Sequence, residues 1–215
     1  MRAVVFLGPS MDYGEARSIL PNSDYMPSAA RGDIAAAAKK GYDAIGLVDG
    51  VFYQRAAVGP REILNALERG IKVVGGSSMG ALRAFELDVF GMVGVGKIYR
   101  WFKEGVINSD DEVALIFHPE TGRALSEPLV NIRATLEILH SKGMIAPNER
   151  ALLIRAARET PFQLRSYMRI VQGGLRIGLV KDRAARLLEL MEGYRVDQKR
   201  EDAREVLGKL KEMLG

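Results

Sequence analysis

The chain has 215 residues, of which 47% are apolar and 27% are charged, and its formal net charge is +4. This size and composition are typical of a soluble globular protein with one large domain, or with a core domain and an appendage. The chain has no cysteine and only two histidines. Disulfides, cysteine nucleophiles, a protein-bound persulfide and metal sites built from cysteines or several histidines are therefore excluded.

The N-terminal segment MRAVVFLGPS contains a five-residue apolar run. This run is too short for a secretory signal and predicts a first strand. Apolar runs of the roughly 18–20 residues that cross a bilayer do not occur, so we expect a cytoplasmic protein with no membrane partner. Much of the basic excess lies after residue 149. Basic helical faces are either solvated or bind an acidic protein, and no nucleic-acid partner is expected.

The N-terminal half alternates apolar runs with helical patterns. Strands are predicted at residues 3–7, 43–48, 71–74 and 113–117, and helices at 34–40, 60–69, 79–87 and 97–105. The predicted strands are apolar on both faces, as in parallel strands that helices cover. We therefore predict an α/β fold of three layers, with a mostly parallel sheet of about four or more strands and right-handed crossovers.

Strand signals stop at residue 126, and helical patterns follow. Four helices are predicted, at residues 126–143, 160–173, 181–194 and 202–214. The second begins at a capping box, TPFQ, with proline at the first helical position. We expect an α/β core over residues 1–125 and a helical region, packed on that core, over residues 126–215.

Polar side chains follow each predicted strand. Parallel strands place them together at the carboxyl edge of the sheet, where ligands bind. Ser10 follows the first strand, Asp49 the second, Ser77 and Ser78 the third, and His118 the fourth. A hydroxyl, an imidazole and a carboxylate are the groups of a serine-type acyl site. In this arrangement Ser78 is the nucleophile, His118 is the base, and Asp49 orients the base.

After Ser78 the chain has Asp110 and Asp111 and then His118. This is the Ser-Asp-His order in which α/β-hydrolases carry their catalytic triad. Asp111 and His118 are seven residues apart, which is roughly 23 Å along an extended strand at about 3.3 Å per residue. They cannot hydrogen-bond across such a strand. If the fourth strand is parallel, Asp49 and His118 face Ser78. If it is antiparallel, Asp110 and Asp111 reach the edge and His118 leaves it.

The segment from Gly76 to Gly80 fits G-x-S-x-G, with Ser78 at its centre, and joins a predicted strand to a predicted helix. Three interpretations stay open. Ser78 is a nucleophile, or Ser77, Ser78 and the following amides bind an anion at the helix N-terminus, or Ser78 is a plain N-cap. Arg83, one turn into the helix, is placed to add positive charge for an anionic ligand.

Seven segments resemble the TfuA-like core domain family in their order and spacing, and they cover residues 1 to about 140. SMGALRA is the most distinctive motif. The segments are FLGPS, ARGDI, GLVDGVF, REILNALERG, GSSMGALRAFEL, DDEVALIFHP and PLVNIRATL.

The resemblance implies a partner of a YcaO enzyme, which uses ATP to convert a peptide backbone amide to a thioamide. A TfuA-like partner engages YcaO and recruits a ubiquitin-like sulfur carrier whose C-terminus is a thiocarboxylate. It then helps to release sulfide by hydrolysing that group. The modified substrate is a glycine of methyl-coenzyme M reductase in methanogenic archaea and a ribosomal peptide in bacteria. No cofactor and no metal are expected on this chain.

The resemblance also identifies polar positions of the family motifs in this chain. They are Ser10, Asp33, Asp49, Ser78, Arg83, Glu86, Asp110, Asp111, His118, Asn131 and Arg133. One position departs from the family, in which a histidine often precedes the Lys/Arg-Glu-Ile segment. This chain has Gly59-Pro60 there. If that histidine is catalytic in the family, this chain lacks it.

Two other functions remain open at this stage. The first is a non-catalytic module that docks on YcaO, activates it and presents the carrier tail. The second is a nucleotide- or sugar-phosphate-binding enzyme, which the lack of a P-loop sequence disfavours. Because the chain has no cysteine, any sulfur that it handles must arrive and leave on a partner.

Overall fold

The computed structural model describes residues 1–52, 56–118 and 121–215. Within these ranges five short strands form one sheet: β1 (Ala3–Phe6), β2 (Asp24–Met26), β3 (Ala44–Leu47), β4 (Lys72–Gly75) and β5 (Val93–Gly94). Their order across the sheet is β2-β1-β3-β4-β5, and every neighbouring pair is parallel. The predicted parallel sheet is confirmed.

Ten α-helices surround or follow the sheet in the described ranges. They are α1 (Tyr13–Ile19), α2 (Asp33–Lys39), α3 (Pro60–Glu68), α4 (Met79–Leu87), α5 (Lys97–Lys103), α6 (Leu129–Ser141), α7 (Pro147–Glu159), α8 (Tyr167–Arg176), α9 (Ala184–Gly193) and α10 (Gln198–Leu214). In the part of the chain that the structure describes, no helix has both the length and the apolar content to span a bilayer.

The described chain forms two compact units. The first comprises residues 1–110 and 199–215, and the second comprises residues 111–198. Helix α10 therefore lies, from its second residue onward, in the same unit as the sheet. The domain boundary expected at residue 125 stays a prediction.

Both faces of the sheet are covered, which explains why its strands are apolar without alternation. On one face, Val4, Phe6 and Leu47 pack with residues of α2, α3 and α4. On the other face, strand residues such as Val5 pack with α1 and with Leu210 of α10. The first unit is thus built of three layers, as the sequence predicts.

The second unit is helical. Its core brings together apolar side chains of four successive helices, α6 to α9. Leu136, Leu153, Ile170 and Leu187 are all fully buried in this core. The C-terminal helical region predicted from the sequence is therefore present.

The strand predicted at residues 113–117 is wrong. Val113 and Ala114 are buried, but in the described ranges the segment pairs with no strand of the sheet. Phe117 makes one isolated antiparallel bridge, to Ala124. The strand beside β4 is β5 instead, which has only two residues. An apolar run indicates burial. A strand also requires a neighbouring strand whose backbone amides and carbonyls pair with its own.

The helix predicted from TPFQ begins later than expected. Residues Phe162–Leu164 form a 3-10 turn, and α8 starts after Ser166, whose hydroxyl accepts a hydrogen bond from the Arg169 amide at 3.4 Å. The short or weakly patterned elements α1, β2, β5 and α7 were not predicted. They lack the long apolar repeat on which sequence-based assignment relies.

Helix α10 is fixed to the first unit by a buried carboxylate. Asp202 is completely buried, and its two oxygens accept hydrogen bonds from the Lys97 amide at 3.0 Å and the Ile98 amide at 2.7 Å. These amides begin α5, so Asp202 caps a helix that lies about a hundred residues away in the sequence. On the same helix, Arg204 and Arg200 form ion pairs with Glu15 of α1.

Small residues allow α4 to start against the end of β3. A β-carbon at Gly80 would lie 1.7 Å from the Leu47 carbonyl oxygen, and one at Gly75 would lie 2.4 Å from the Gly80 oxygen. The Gly80 amide donates to the Val48 carbonyl at 3.2 Å. The glycines of this strand–helix junction are therefore required by backbone packing, whatever the chemistry of the serines between them.

We predict that Asp202→Ala lowers the free energy of unfolding by about 2 kcal/mol, because two helix N-terminal amides, of Lys97 and Ile98, lose their buried acceptor. The control is Glu201→Ala, which removes an exposed ion pair to Arg204 on the same helix and should change the value by less than about 0.5 kcal/mol. Urea unfolding with a fluorescence or circular-dichroism readout measures both. Equal effects of the two substitutions would contradict the capping role.

We predict that Gly80→Ala lowers the free energy of unfolding by more than about 2 kcal/mol, because the added methyl overlaps a backbone carbonyl. Gly59→Ala is the matched control. Gly59 has φ −87° and no atom within 4 Å of an added β-carbon. The same measurement applies, and a tolerated alanine at position 80 would contradict the close approach of α4 to β3.

Candidate functional site

The strand order creates a switch point at the carboxyl ends of β1 and β3. From β1 the chain runs to β2 on one side, and it then returns to β3 on the other side of β1. Open parallel sheets bind ligands outside the carboxyl ends of the strands at such a point, because the two connections diverge there. Gly8 and Ser10 follow β1, and Asp49 follows β3. The predicted edge residues Ser10 and Asp49 therefore lie at the switch point.

Asp49 joins the ends of these two strands. Its Oδ2 accepts hydrogen bonds from the amides of Gly8 at 2.8 Å and Ser10 at 3.0 Å, and its Oδ1 accepts the Ser10 hydroxyl at 2.6 Å. The carboxylate is 2% exposed. Three donors from one segment thus satisfy a carboxylate that is shielded from water.

Two neighbours of Asp49 were not among the predicted site residues. Lys199, at the start of α10, places its Nζ 3.8 Å from Asp49 Oδ1, and both side chains are 2% exposed. A β-carbon at Gly8 would lie 2.1 Å from the hydroxyl of Ser28, which follows β2. Lys199 lies 150 residues from Asp49 in the sequence. The feature of the sequence that could have pointed to Lys199 is its position on the apolar face of a helical pattern.

The turn that contains both serines lies beside the end of β3. The Gly80 amide donates to the Val48 carbonyl, one residue before Asp49. A β-carbon at Gly50 would lie 2.9 Å from the β-carbon of Met79. The predicted residues Ser77 and Ser78 are thus held next to the strand end that Asp49 follows.

Ser77 has a strained backbone. Its φ is +67°, and in the described ranges it is the single non-glycine residue with positive φ. The Ser78 amide donates to the Gly76 carbonyl at 2.9 Å, which closes a three-residue turn around Ser77. A γ-turn of this hand is rare and strained. The Ser77 hydroxyl is buried and has no hydrogen-bond partner among the described residues.

The plain N-cap interpretation of Ser78 is wrong. Ser78 occupies the N-cap position of α4, but its side chain makes no capping hydrogen bond. It is 1% exposed. Gly76 has a packing role of its own, because a β-carbon there would lie 2.7 Å from the Val95 carbonyl oxygen. The nucleophilic and anion-binding roles proposed for this segment remain predictions.

Arg83, predicted to contact an anion, has protein partners in this structure. Its Nε donates to the Val58 carbonyl at 2.8 Å, and its Nη1 donates to Glu86 at 2.6 Å. Asp33 accepts the Ala30 amide at 2.7 Å. These contacts explain three of the motif positions as supports of loops and helices, and an anion-binding role of Arg83 stays a prediction.

His118 belongs to the second unit and is exposed. Its amide donates to the Arg123 carbonyl at 2.8 Å, and the Leu125 amide donates to the Ile116 carbonyl at 2.8 Å. Since this segment is not a strand of the sheet, the sheet does not bring His118 to its carboxyl edge. The same applies to the antiparallel arrangement that would bring Asp110 and Asp111 to the edge. A catalytic role of His118 stays a prediction.

Other motif residues form buried ion pairs and hydrogen bonds within the second unit. Arg133 makes two hydrogen bonds of 2.7 Å to Glu112, whose side chain is 3% exposed. Asp111 pairs with the buried Arg165. Asn131 donates to Glu127 at 3.3 Å and to Asp197 at 3.1 Å. The buried charges of Glu112, Arg133 and Arg165 require such partners. These contacts give Asp111, Asn131 and Arg133 a structural role.

A cleft of about 570 Å³ lies on the second unit. Its lining includes Ser126, Glu127, Tyr167 and Arg195 and does not include any of the three predicted catalytic residues. In the ranges that the structure describes, no cluster of three or more histidine, aspartate or glutamate side chains is arranged to hold a metal ion.

The geometry is thus that of a doubly wound sheet with a carboxylate, a buried lysine and two serines around the ends of β1, β3 and β4. A comparison with curated proteins finds no match. The family model described as TfuA-like protein matches residues 49–166, which is more than half of the chain. The chain belongs to the TfuA-like protein family.

Proposed function

We propose that this protein is an accessory of a YcaO-type enzyme in peptide backbone thioamidation, that it recruits a ubiquitin-like sulfur carrier, and that it hydrolyses the carrier's thiocarboxylate to release sulfide. Membership of the TfuA-like family supports a role in the TfuA/YcaO thioamidation context. The modified substrate, a peptide or methyl-coenzyme M reductase, would be reached through YcaO. The cytoplasm, expected from the sequence, is the proposed location.

The observation on which the hydrolytic proposal depends is the grouping at the carboxyl edge of the sheet. Ser10 and Asp49 are in direct contact at the switch point, and the Ser77–Ser78 turn lies against the neighbouring strand end. Hydrolysis of a thiocarboxylate needs a nucleophile, hydrogen-bond donors for the developing oxyanion, and a local environment that binds the negatively charged C-terminus of the carrier. A hydroxyl at the start of α4 offers the first, and nearby amides offer the second.

The chemistry balances without a cofactor. The serine hydroxyl attacks the thiocarboxylate carbon, a C–O bond forms, and the C–S bond breaks. The hydroxyl proton leaves with the sulfur as HS⁻. Water then attacks the ester, the C–O bond to serine breaks, and the products are a carboxylate, a proton and the free hydroxyl. No base is assigned to these proton transfers, since His118 is a base only by the prediction from the sequence.

The nucleophile could be the hydroxyl of Ser77 or that of Ser78. The G-x-S-x-G pattern selects Ser78, whereas the backbone favours Ser77. In nucleophile elbows the attacking serine sits on a strained turn between strand and helix, and strain of this kind is concentrated at functional sites. Ser77 combines a positive φ with a buried hydroxyl that has no partner in the described ranges. We therefore assign the attack to Ser77.

A second function, a non-catalytic module that docks on YcaO and activates it, is favoured by a different observation. Ser77 is 0% exposed and Ser78 is 1% exposed, so a carrier tail reaches them only if the structure rearranges. Near the end of α4, by contrast, Val89 is 78% exposed and Phe90 is 60% exposed. Exposed apolar side chains of this kind are suited to a protein partner.

The first test is direct hydrolysis. The purified protein is mixed with a thiocarboxylated ubiquitin-like carrier, and sulfide release and the mass change from thiocarboxylate to carboxylate are followed. We expect turnover well above the rate without protein. Binding of the carrier without turnover, together with stimulation of YcaO supplied with free sulfide, would support the docking module instead.

The second test separates the two serines. We expect Ser77→Ala to reduce turnover by at least about 100-fold and Ser78→Ala by less than about threefold. Ser77→Gly should also lose turnover but retain or gain stability, by up to about 1 kcal/mol, because glycine accepts a positive φ. Loss of turnover in Ser78→Ala alone would restore the pattern-based assignment. Full turnover in both variants would exclude a serine nucleophile and leave an activated water.

A further inference from the structure

Residues 123–125 form one side of a short hairpin whose outer edge is unpaired. Two backbone hydrogen bonds of 2.8 Å join them to residues 116–118, and these bonds flank the bridge between Phe117 and Ala124. That bridge is therefore a non-hydrogen-bonded pair of an antiparallel ladder, in which the amide and carbonyl of each residue point away from the other segment. Neither backbone group of Ala124 has a hydrogen-bond partner in the part of the chain that the structure describes. Ala124 thus presents one donor and one acceptor, as the edge of a sheet does.

This edge borders the cleft of about 570 Å³ on the second unit, since Ala124 and Leu125 belong to the cleft lining. Residues 165–168 also line the cleft, and the Glu127 amide donates to the Arg165 carbonyl at 2.9 Å. This hydrogen bond fixes the two lining segments to each other at one point. The volume lies in the range of clefts that bind ligands. Ala124 and Leu125 are exposed, so a ligand reaches the edge from solvent.

The side chains of the cleft add apolar surface and one uncompensated charge. Leu125 is 57% exposed and Met168 is 56% exposed. Both arginines of the lining are paired with carboxylates. Glu192, by contrast, is exposed and forms no ion pair within the described ranges. A bound ligand therefore meets apolar side chains and a carboxylate that favours a positive group.

An extended peptide matches all three features of the cleft. Its backbone pairs with the amide and carbonyl of Ala124, as in peptides that add a strand to an exposed sheet edge. Its apolar side chains pack on Leu125 and Met168, and a lysine or arginine side chain pairs with Glu192. A nucleotide, or a chain end that carries a carboxylate, fits less well because Glu192 repels its negative charge.

We propose that the cleft binds the peptide whose backbone is modified, as an extended segment that pairs with Ala124 and places a basic side chain beside Glu192. The inference rests on the proposed function, because it takes thioamidation of a peptide as the reaction that this protein assists. A strand that is bound through one edge keeps the amides and carbonyls of its other edge unpaired. Every second amide of the bound peptide therefore stays accessible to YcaO, which carries out the modification.

The first experiment finds a probe and tests how it binds. A phage-displayed library of random octapeptides is selected on the immobilised protein, and one enriched peptide is synthesised with an acetylated N-terminus and an amidated C-terminus. We expect the enriched sequences to combine apolar residues with lysine or arginine. Two versions of the peptide are then N-methylated at alternate amides, in opposite phase. One pattern should weaken binding at least about tenfold, because it removes the amides that pair with the protein, and the other by less than about threefold.

Three outcomes of this experiment would overturn the proposal. The first is that no sequence is enriched. The second is that both methylation patterns weaken binding equally, which means that the peptide does not bind through one edge. The third is that acidic peptides are enriched, or that binding requires a free C-terminal carboxylate, because either result contradicts the role of Glu192.

A substitution at Ala124 tests the backbone contact. Ala124→Pro removes the outward amide without removing a hydrogen bond of the hairpin, and it should lower the affinity for the capped peptide at least about tenfold. Ala124→Ser keeps the amide and is the control, with an expected change of less than about threefold. Circular dichroism verifies that both variants fold. An unchanged affinity in folded Ala124→Pro would contradict strand addition.

A charge reversal tests the side-chain contact independently of the backbone. Glu192→Lys should lower the affinity for the selected peptide about tenfold, and replacing the basic residue of the peptide by glutamate should restore it. Glu189→Lys is the matched control, because Glu189 lies on the same helix, pairs with Arg186 and is not part of the cleft lining. Equal effects of the two substitutions, or no restoration by the altered peptide, would remove Glu192 from the site.

The source of the peptide is tested in the reconstituted reaction of YcaO, ATP, carrier and substrate peptide. We expect Ala124→Pro to raise KM for the substrate peptide at least about tenfold and to leave sulfide release from the carrier unchanged. Loss of YcaO binding or of carrier binding in this variant would overturn the assignment to the substrate. Peptide binding through one edge without sulfide release would remove the hydrolase and retain the peptide site. Sulfide release without peptide binding would do the reverse.

Discussion

The contact on which the site depends is that between the Asp49 carboxylate and the ends of two parallel strands. Asp49 follows β3, and it accepts two amides and a hydroxyl from the segment that follows β1. One buried negative charge thus fixes the loop after β1 at the point where the sheet connections diverge. It also makes a nearby positive charge favourable, and Lys199 provides it.

Helix α10 connects the end of the chain to this arrangement. Apolar residues of α10 cover one face of the sheet, Asp202 caps α5, and Lys199 reaches Asp49. Its contacts are separated from the sheet in sequence by the whole of the second unit. A chain that lost α10 would expose one face of the sheet and leave Asp49 without its cation. The fold and the candidate site therefore depend on the same helix.

Much of the first unit was predictable, because parallel strands covered on both faces leave continuous apolar runs, and glycines mark their ends. The edge residues Ser10 and Asp49 could be grouped for the same reason, since they directly follow such runs. The segment at 113–117 was mispredicted because Val113 is buried without strand pairing. Strand β5 has two residues, too few for a pattern. Neither the positive φ of Ser77 nor the approach of Lys199 to Asp49 has a local sequence signal, since both arise from tertiary contacts.

The most direct test of the central claim, that an anionic chain end binds at the carboxyl ends of the strands, is a crystal structure of the protein bound to a ubiquitin-like carrier with a free C-terminal carboxylate. We expect the carbon of the terminal carboxylate within about 3.5 Å of the Ser77 hydroxyl, the distance from which a nucleophile attacks. A carrier tail bound elsewhere, for example in the cleft that contains Arg195 on the second unit, with no density near Asp49, would contradict it.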